Sequence, residues 1–163
     1  MIKIHRDASA LPYGAVMEIY HDDLLLSGKR DYPDLTIPES LHEAQQDFYG
    51  YLTEEFFSSE GAFIAILEDK ASLRIEPYLD GFLLTGLSVA PAFRRRGYAK
   101  TLLGYVVSML PGGSKLYSHV DKQNIPSVGL HRDFGFSVEQ DGAQMLDGSF
   151  LHNFWTFSYR IKP

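Results

Sequence analysis

There is no cysteine among the 163 residues. That excludes a disulfide scaffold, a thiolate metal site and any mechanism through a cysteinyl intermediate. It also fits a reducing compartment. No stretch approaches the ~18 consecutive apolar residues of a membrane-spanning helix. The opening MIKIHRDAS lacks the apolar core of a secretory leader, so a cytoplasmic setting is expected. Internal repeats, low-complexity tracts and linker-like stretches are missing. Neither G-x-G-x-x-G nor G-x-x-x-x-G-K-[ST] occurs, which disfavours a classical dinucleotide or P-loop fold. Basic charge is scarce in the first part of the chain. Residues 1–90 hold 6 Lys+Arg against 16 Asp+Glu, whereas residues 91–163 hold 9 against 5. A net charge of −6 argues against nucleic-acid binding by bulk electrostatics, and the short run Arg94–Arg96 comes with no aromatic-rich single-strand platform.

What remains is a chain of single-domain length, 45% hydrophobic and 13% aromatic, able to bury a core without staples. Met1–His5 alternates as a short strand. Ala10–Tyr20 has helical spacing, and SGKRDYPDLTIP, from Ser27 to Pro38, reads as a loop by composition. A second helix follows, with Ser40 and Glu43 placed as a capping box. Ala62–Leu67, Ser72–Tyr78 and Phe82–Val89 are strand-like, and their short connections imply antiparallel neighbours. Arg95–Leu110 is helical, Lys115–Val120 a strand, Ser127–Phe134 a short helix, and Phe136–Glu139 and Phe154–Ile161 strands. The order βααβββαβαββ predicts one α/β (α+β) domain over residues 1–163, with a mixed sheet covered by helices.

The segment Leu87-Ser88-Val89-Ala90-Pro91-Ala92-Phe93-Arg94-Arg95-Arg96-Gly97-Tyr98-Ala99-Lys100 ends a strand, turns through three arginines and opens a helix near Gly97. A helix N-terminus presents unpaired N–H groups and the positive end of its dipole, which suits a phosphate. Gly97 and Ala99 permit close approach of a pyrophosphate to the backbone, and the arginines add charge around it. The plain alternative is a solvated basic turn before an amphipathic core helix. His5, His21, His42 and His152 lack ligand-like spacing, and no metal is assigned.

The R-x-x-G-x-A of residues 94–99, after V-x-P-x-F, resembles the pyrophosphate motif of the GNAT superfamily of N-acetyltransferases. The run Asn124-Ile125-Pro126-Ser127-Val128-Gly129-Leu130-His131-Arg132-Asp133-Phe134-Gly135-Phe136 is similar to that family's second signature. The two fall in the expected order with one strand between them. The resemblance implies a mostly antiparallel sheet splayed at its fourth and fifth strands, with helices on both faces. It implies acetyl-CoA as co-substrate and transfer of its acetyl group straight to a primary amine of a small molecule or peptide.

By position, Leu87, Ser88 and Val89 would pair with the pantetheine arm, and the Val89 N–H would face the oxyanion. Arg94, Arg95, Arg96, Gly97, Tyr98, Ala99 and Lys100 would hold the pyrophosphate, while Asn124 and Ser127 would line the thiol end. His131 stands where the family most often has tyrosine, the acid for the departing thiolate. His119 matches a position where some relatives carry a catalytic glutamate. Glu18, Asp22 and Asp23, placed at the end of the first helix and in the loop after it, are rival acidic candidates. The fourth strand carries Thr85 and no glutamate. A catalytically weak acyl-CoA-binding module is the alternative reading. The acidic first half, placed over the acceptor site, points to a cationic amine facing a basic cofactor wall. A homodimer is compatible with the chain; nucleic-acid and membrane partners are not expected.

Overall fold

The computed structural model describes residues 1–163. Seven strands form one sheet: β1 (Ile2–His5), β2 (Phe63–Leu67), β3 (Ala71–Tyr78), β4 (Gly81–Val89), β5 (Lys115–Asp121), β6 (Ser137–Gln144) and β7 (Phe150–Arg160). Five α-helices accompany them: α1 (Tyr13–Ile19), α2 (His21–Asp31), α3 (Ile37–Glu54), α4 (Tyr98–Met109) and α5 (Ile125–Phe134). The sheet order is β1-β2-β3-β4-β5-β7-β6, with β4 and β5 parallel and every other pair antiparallel. This is an α+β domain with helices on both faces. No helix is long and apolar enough to cross a membrane.

Strand alternation divides the core between the two faces. Leu73, Ile75 and Leu84 pack with Leu102, Leu103 and Val106 of α4, in a cluster that continues to Phe136 and Phe157. Ile64 and Ile66 point the other way, into a second cluster with Val16, Ile19, Tyr20 and Leu52 from the first three helices. β2, FIAIL, is covered on both sides, and all five of its residues are buried.

Four expectations are corrected here. The order is βαααβββαβαββ, because α2 runs through Asp31 and only residues 32–36 connect it to α3. Gly28, which made the segment look like a loop, lies where the two helices cross. A Cβ there would sit 2.5 Å from the Ser40 carbonyl oxygen. Asp22 and Asp23 accordingly stand in the first turn of α2, where carboxylates complement the helix dipole, and not in a loop. The capping box belongs to Thr36 and Glu39, one turn earlier than Ser40 and Glu43, and Pro38 occupies the first turn, where a missing N–H costs nothing. Ser40 is buried and donates to the Ile37 carbonyl. Towards the end of the chain, β6 and β7 are longer than their apolar runs, because exposed residues extend the hairpin beyond the core.

The feature that positions the site is the short β4–β5 pairing. Phe82–Leu84 pair with Leu116–Ser118 and nothing beyond pairs, so the two strands diverge after Leu84 and Ser118. β4 is also bulged: Ser72 faces Ser88 while Arg74 faces Thr85, leaving one extra residue on β4. Gly86 lies in that bulge at φ +60°, and the Arg74 guanidinium fills the space a side chain there would need.

Candidate active site

A helix needs its first N–H groups satisfied, and α4 leaves them open. Its N-cap is Gly97, at φ +85°, with no side-chain cap. Arg95 is also left-handed, at φ +63°. Such a conformation costs a non-glycine residue about 1–2 kcal/mol, and alternating backbone of this kind forms an anion-binding concavity. A Cβ on Gly97 would meet nothing within 4 Å, so the space above the turn is open.

The turn opens into a cleft of about 590 Å³. Of the cofactor residues named from the sequence, Leu87, Ser88, Val89, Arg94, Arg95, Ala99, Asn124 and Ser127 line it, together with the acidic candidates Asp22 and Asp23; Pro126 and Leu130 complete it. Arg96, Gly97, Tyr98 and Lys100 belong to the turn without lining the cleft. The Arg96 guanidinium lies over the Phe93 ring, and Tyr98 packs edge-on to Phe93. Arg94 is engaged elsewhere: Nη1 meets Asp22 Oδ2 at 2.6 Å and Nε donates to the Val89 carbonyl at 3.2 Å. The acidic and basic groups expected on opposite walls therefore meet in one ion pair at the mouth.

The Ala90 N–H donates to Lys70 on the β3 side. Neighbouring residues on a strand alternate in direction, so the Val89 N–H and C=O point away from β3 into the splay. Arg94 taking the Val89 carbonyl agrees with this.

A second recess of about 320 Å³ lies between the diverging strands, lined in part by Asp23, Ser118, His119, Ser127 and His131. The two histidines approach it differently. His119 alternates with Ser118 along β5 and so faces the opposite side of the sheet. It is edge-on to Tyr78 with ring centroids 5.8 Å apart, and its Nε2 is buried without a hydrogen-bond partner. Burial lowers its pKa below the usual histidine value.

His131, on α5, is 2% exposed and stacked on Phe157 with centroids 5.5 Å apart. Its Nδ1 lies 2.7 Å from the Ser127 carbonyl oxygen and its Nε2 2.9 Å from Ser118 Oγ. A carbonyl can only accept, so Nδ1 carries the proton; Nε2 is then bare and accepts the Ser118 hydroxyl. Burial pushes the His131 pKa down, partly offset by the Ser127 carbonyl. Asn124 Oδ1 caps α5 by accepting the Ser127 N–H at 3.2 Å, which holds that end of the helix in place.

The model of the acetyltransferase (GNAT) family matches residues 17–136, most of the chain. The chain belongs to this family. It is a GNAT acetyltransferase. A comparison with curated proteins finds no match. Among solved structures, the chain is similar to an aminoglycoside 6′-acetyltransferase type Ii at 16% identity and TM-score 0.64, covering 100% of this chain and 98% of that one. It is similar to PaiA N-acetyltransferase from Thermoplasma acidophilum, in complex with coenzyme A, at 14% identity and TM-score 0.62, covering 98% and 99%. It is also similar to the ribosomal-protein-S18-alanine N-acetyltransferase from Escherichia coli at 18% identity and TM-score 0.59, covering 100% and 96%. At these identities the likeness is one of fold.

In this acetyltransferase, Asp23 lines both the cleft and the recess, whereas Glu18 lines neither. The pKa of Asp23 is raised, first by the partial burial of its carboxyl and then by neighbouring Asp22, with Arg74 and Arg94 pulling it back. A carboxyl whose folded pKa lies above its unfolded value of ~3.9 makes the folded state bind the extra proton, so stability falls as pH rises through that window. Asp23→Asn is therefore expected to raise Tm at pH 7, with the advantage over wild type vanishing below about pH 4. Thermal scans at both pH values check this; an unchanged or lower Tm at pH 7 would contradict it.

Ser118 is the site residue that sequence reading overlooks. An isolated serine on a strand carries no motif, and only its distance to His131 singles it out. Asp23 was visible only as one acid among many.

Proposed function

We propose that residues 1–163 form one N-acetyltransferase domain that moves the acetyl group of acetyl-CoA directly to a primary amine of a small molecule or peptide, in a ternary complex without a covalent enzyme intermediate. The observation that carries this reading is the uncapped, glycine-begun N-terminus of α4 opening into the same cleft as the diverging β4 and β5 strands. The turn Arg95–Lys100 is suited to a diphosphate through backbone N–H groups, Arg95 and the helix dipole. Arg94, tied to Asp22, shapes the wall. Leu87–Val89 would receive the pantetheine arm along the splayed edge, with Asn124 and Ser127 opposite.

Three chemical demands remain. The attacking amine must be neutral, and a solvated alkylamine of pKa ~10.4 is mostly protonated at pH 7. His119, unprotonated by virtue of its burial and unpartnered at Nε2, takes that proton. The oxyanion needs a fixed donor, and the Val89 N–H points into the splay. The thiolate needs a proton, and His131 is its source.

Of the solved relatives, one acetylates an aminoglycoside and another an alanine of a ribosomal protein. Both acceptor classes belong in a thiol-release screen with polyamines and amino acids. Release of free CoA thiol dependent on one of these amines supports the reading. Tight acetyl-CoA binding with no release from any of them would favour the non-catalytic acyl-CoA-binding module.

The acceptor is proposed to be cationic. Asp23 lies inside the cleft, and the exposed carboxylates Asp34, Glu39 and Asp47 and the half-buried Glu43 stand on or beside α3. Acceptors with extra positive charge should show higher kcat/KM than neutral analogues, with the advantage shrinking from low to physiological salt as screening falls to ~8 Å. A best substrate that is acidic, or a preference indifferent to ionic strength, contradicts this.

A further inference from the structure

We propose that Ser118 is a catalytic residue of this acetyltransferase and that His131 is the positioning residue behind it, the pair passing the proton that leaves the amine on to the departing thiolate. The proposal rests on the direct-transfer reading above and names the atom through which His131 acts. His131 and Ser118 both line the recess and both are nearly fully buried, but the two ring nitrogens of His131 are already engaged and its ring packs against Phe136 and Phe157, so it meets a reactant through Ser118. Ser118 is the last β5 residue paired to β4, at the apex of the splay.

The tautomer sets the direction of transfer. With Nδ1–H committed to the Ser127 carbonyl, Nε2 receives the Ser118 O–H, leaving the lone pairs of Ser118 Oγ as acceptors towards the recess. As the neutral amine, already relieved of its ammonium proton by His119, bonds to the thioester carbon, Ser118 Oγ accepts the second proton from that nitrogen while its own proton crosses to His131 Nε2. When the C–S bond breaks and its electron pair stays on sulfur, His131 returns a proton to Ser118 and Ser118 gives one to the thiolate. Amine and acetyl-CoA become amide and CoA thiol, with Ser118 and His131 restored. The Ser127 carbonyl steadies the transient imidazolium, and burial makes its proton easy to give up. This is the nucleophile–base–orienter geometry of serine hydrolases, put to use for proton relay.

The other groups facing the recess are Asp23 from α2 and His119 and Asp121 from β5. Arg132, on α5, sits over the far Phe157 ring at 5.8 Å.

The test has two arms. In the first, nitrogen NMR of the whole protein with labelled histidine reads the His131 tautomer, and it needs no acceptor. The expected result is Nδ1 protonated and Nε2 bare; a proton on Nε2 overturns the relay whether or not any amine is acetylated. In the second, thiol release is measured for Ser118→Ala, Ser118→Thr and His119→Gln with acetyl-CoA and a responding amine. Ser118→Ala should lose roughly 10²-fold or more in kcat with acetyl-CoA affinity by calorimetry unchanged, and Ser118→Thr, which keeps a hydroxyl, should recover most of it. The acidic limb of the kcat/KM profile, below the ordinary histidine pKa of ~6.5, reports protonation of both His119 and His131, so the part that remains in His119→Gln should vanish when Ser118→Ala is combined with it. Wild-type turnover and an unaltered profile in folded Ser118→Ala overturn the relay. A wild-type protein that acetylates no amine overturns the direct-transfer reading instead, and the tautomer still decides whether Ser118 and His131 are wired as proposed.

Discussion

Acetyl-CoA binding should be lost in Gly97→Glu, by at least about a hundredfold, in a protein that remains folded. The backbone at Gly97 is left-handed, so any side chain there carries about 1–2 kcal/mol of strain. That is small against a domain stability of ~5–15 kcal/mol. No atom lies within 4 Å of the new Cβ, so the added carbon itself meets no clash. The added carboxylate does two things at once. It places negative charge where the turn is proposed to hold a diphosphate, and it can accept the first-turn N–H groups that a phosphate would otherwise use. Gly97→Ala separates backbone from charge: it carries the same strain without the carboxylate and should weaken binding far less. Calorimetric titration with circular dichroism as the folding control reads both variants. An unchanged acetyl-CoA affinity in folded Gly97→Glu removes the pyrophosphate assignment from this turn.

The largest effect on stability is expected at Gly81, where β4 begins. A Cβ there would lie 2.0 Å from the Lys115 carbonyl oxygen and 2.9 Å from its carbon. These are backbone atoms of the neighbouring strand and cannot swing aside as a flexible side chain would. Only Phe82–Leu84 and Leu116–Ser118 join β4 to β5, so there is little further pairing to absorb a shift. Gly81→Ala is expected to cost about 3 kcal/mol, at the upper end of overpacking penalties. That corresponds to a fall in Tm of roughly 6–12 °C for a chain of this size. Gly104→Ala, within α4 and with nothing within 4 Å of the added carbon, should instead stabilise by about 0.5–1 kcal/mol. Denaturant unfolding of both variants checks the pair. A Gly81→Ala loss under about 1 kcal/mol would mean that the β4–β5 junction is softer than its geometry implies.

The same contrast shows what local pattern can and cannot reveal. From sequence, Gly28, Gly81 and Gly97 are alike, each punctuating a segment. One lies at a helix crossing, one at a strand junction and one at a left-handed helix start. Gly97 was readable because its role is local: a strand end, a turn and an apolar period beginning again within ten residues. Gly28 misled because the atom that requires it, the Ser40 carbonyl, belongs to the next helix.

By itself, then, the sequence determined the family, the three consecutive antiparallel strands and the strand–turn–helix that opens the candidate cofactor cleft. Each is written in hydrophobic period, turn chemistry and motif spacing over a short span, where backbone sterics and local hydrogen bonding decide the outcome. Only the tertiary structure decided which side chains meet. It paired Arg94 with Asp22 across 72 residues, placed Asp23 in the cleft, and brought Ser118 of β5 within hydrogen-bond reach of His131 on α5. Ion pairs and side-chain hydrogen bonds depend on distances of about 3 Å between distant segments, and those distances exist only once the strands have splayed and the helices have packed.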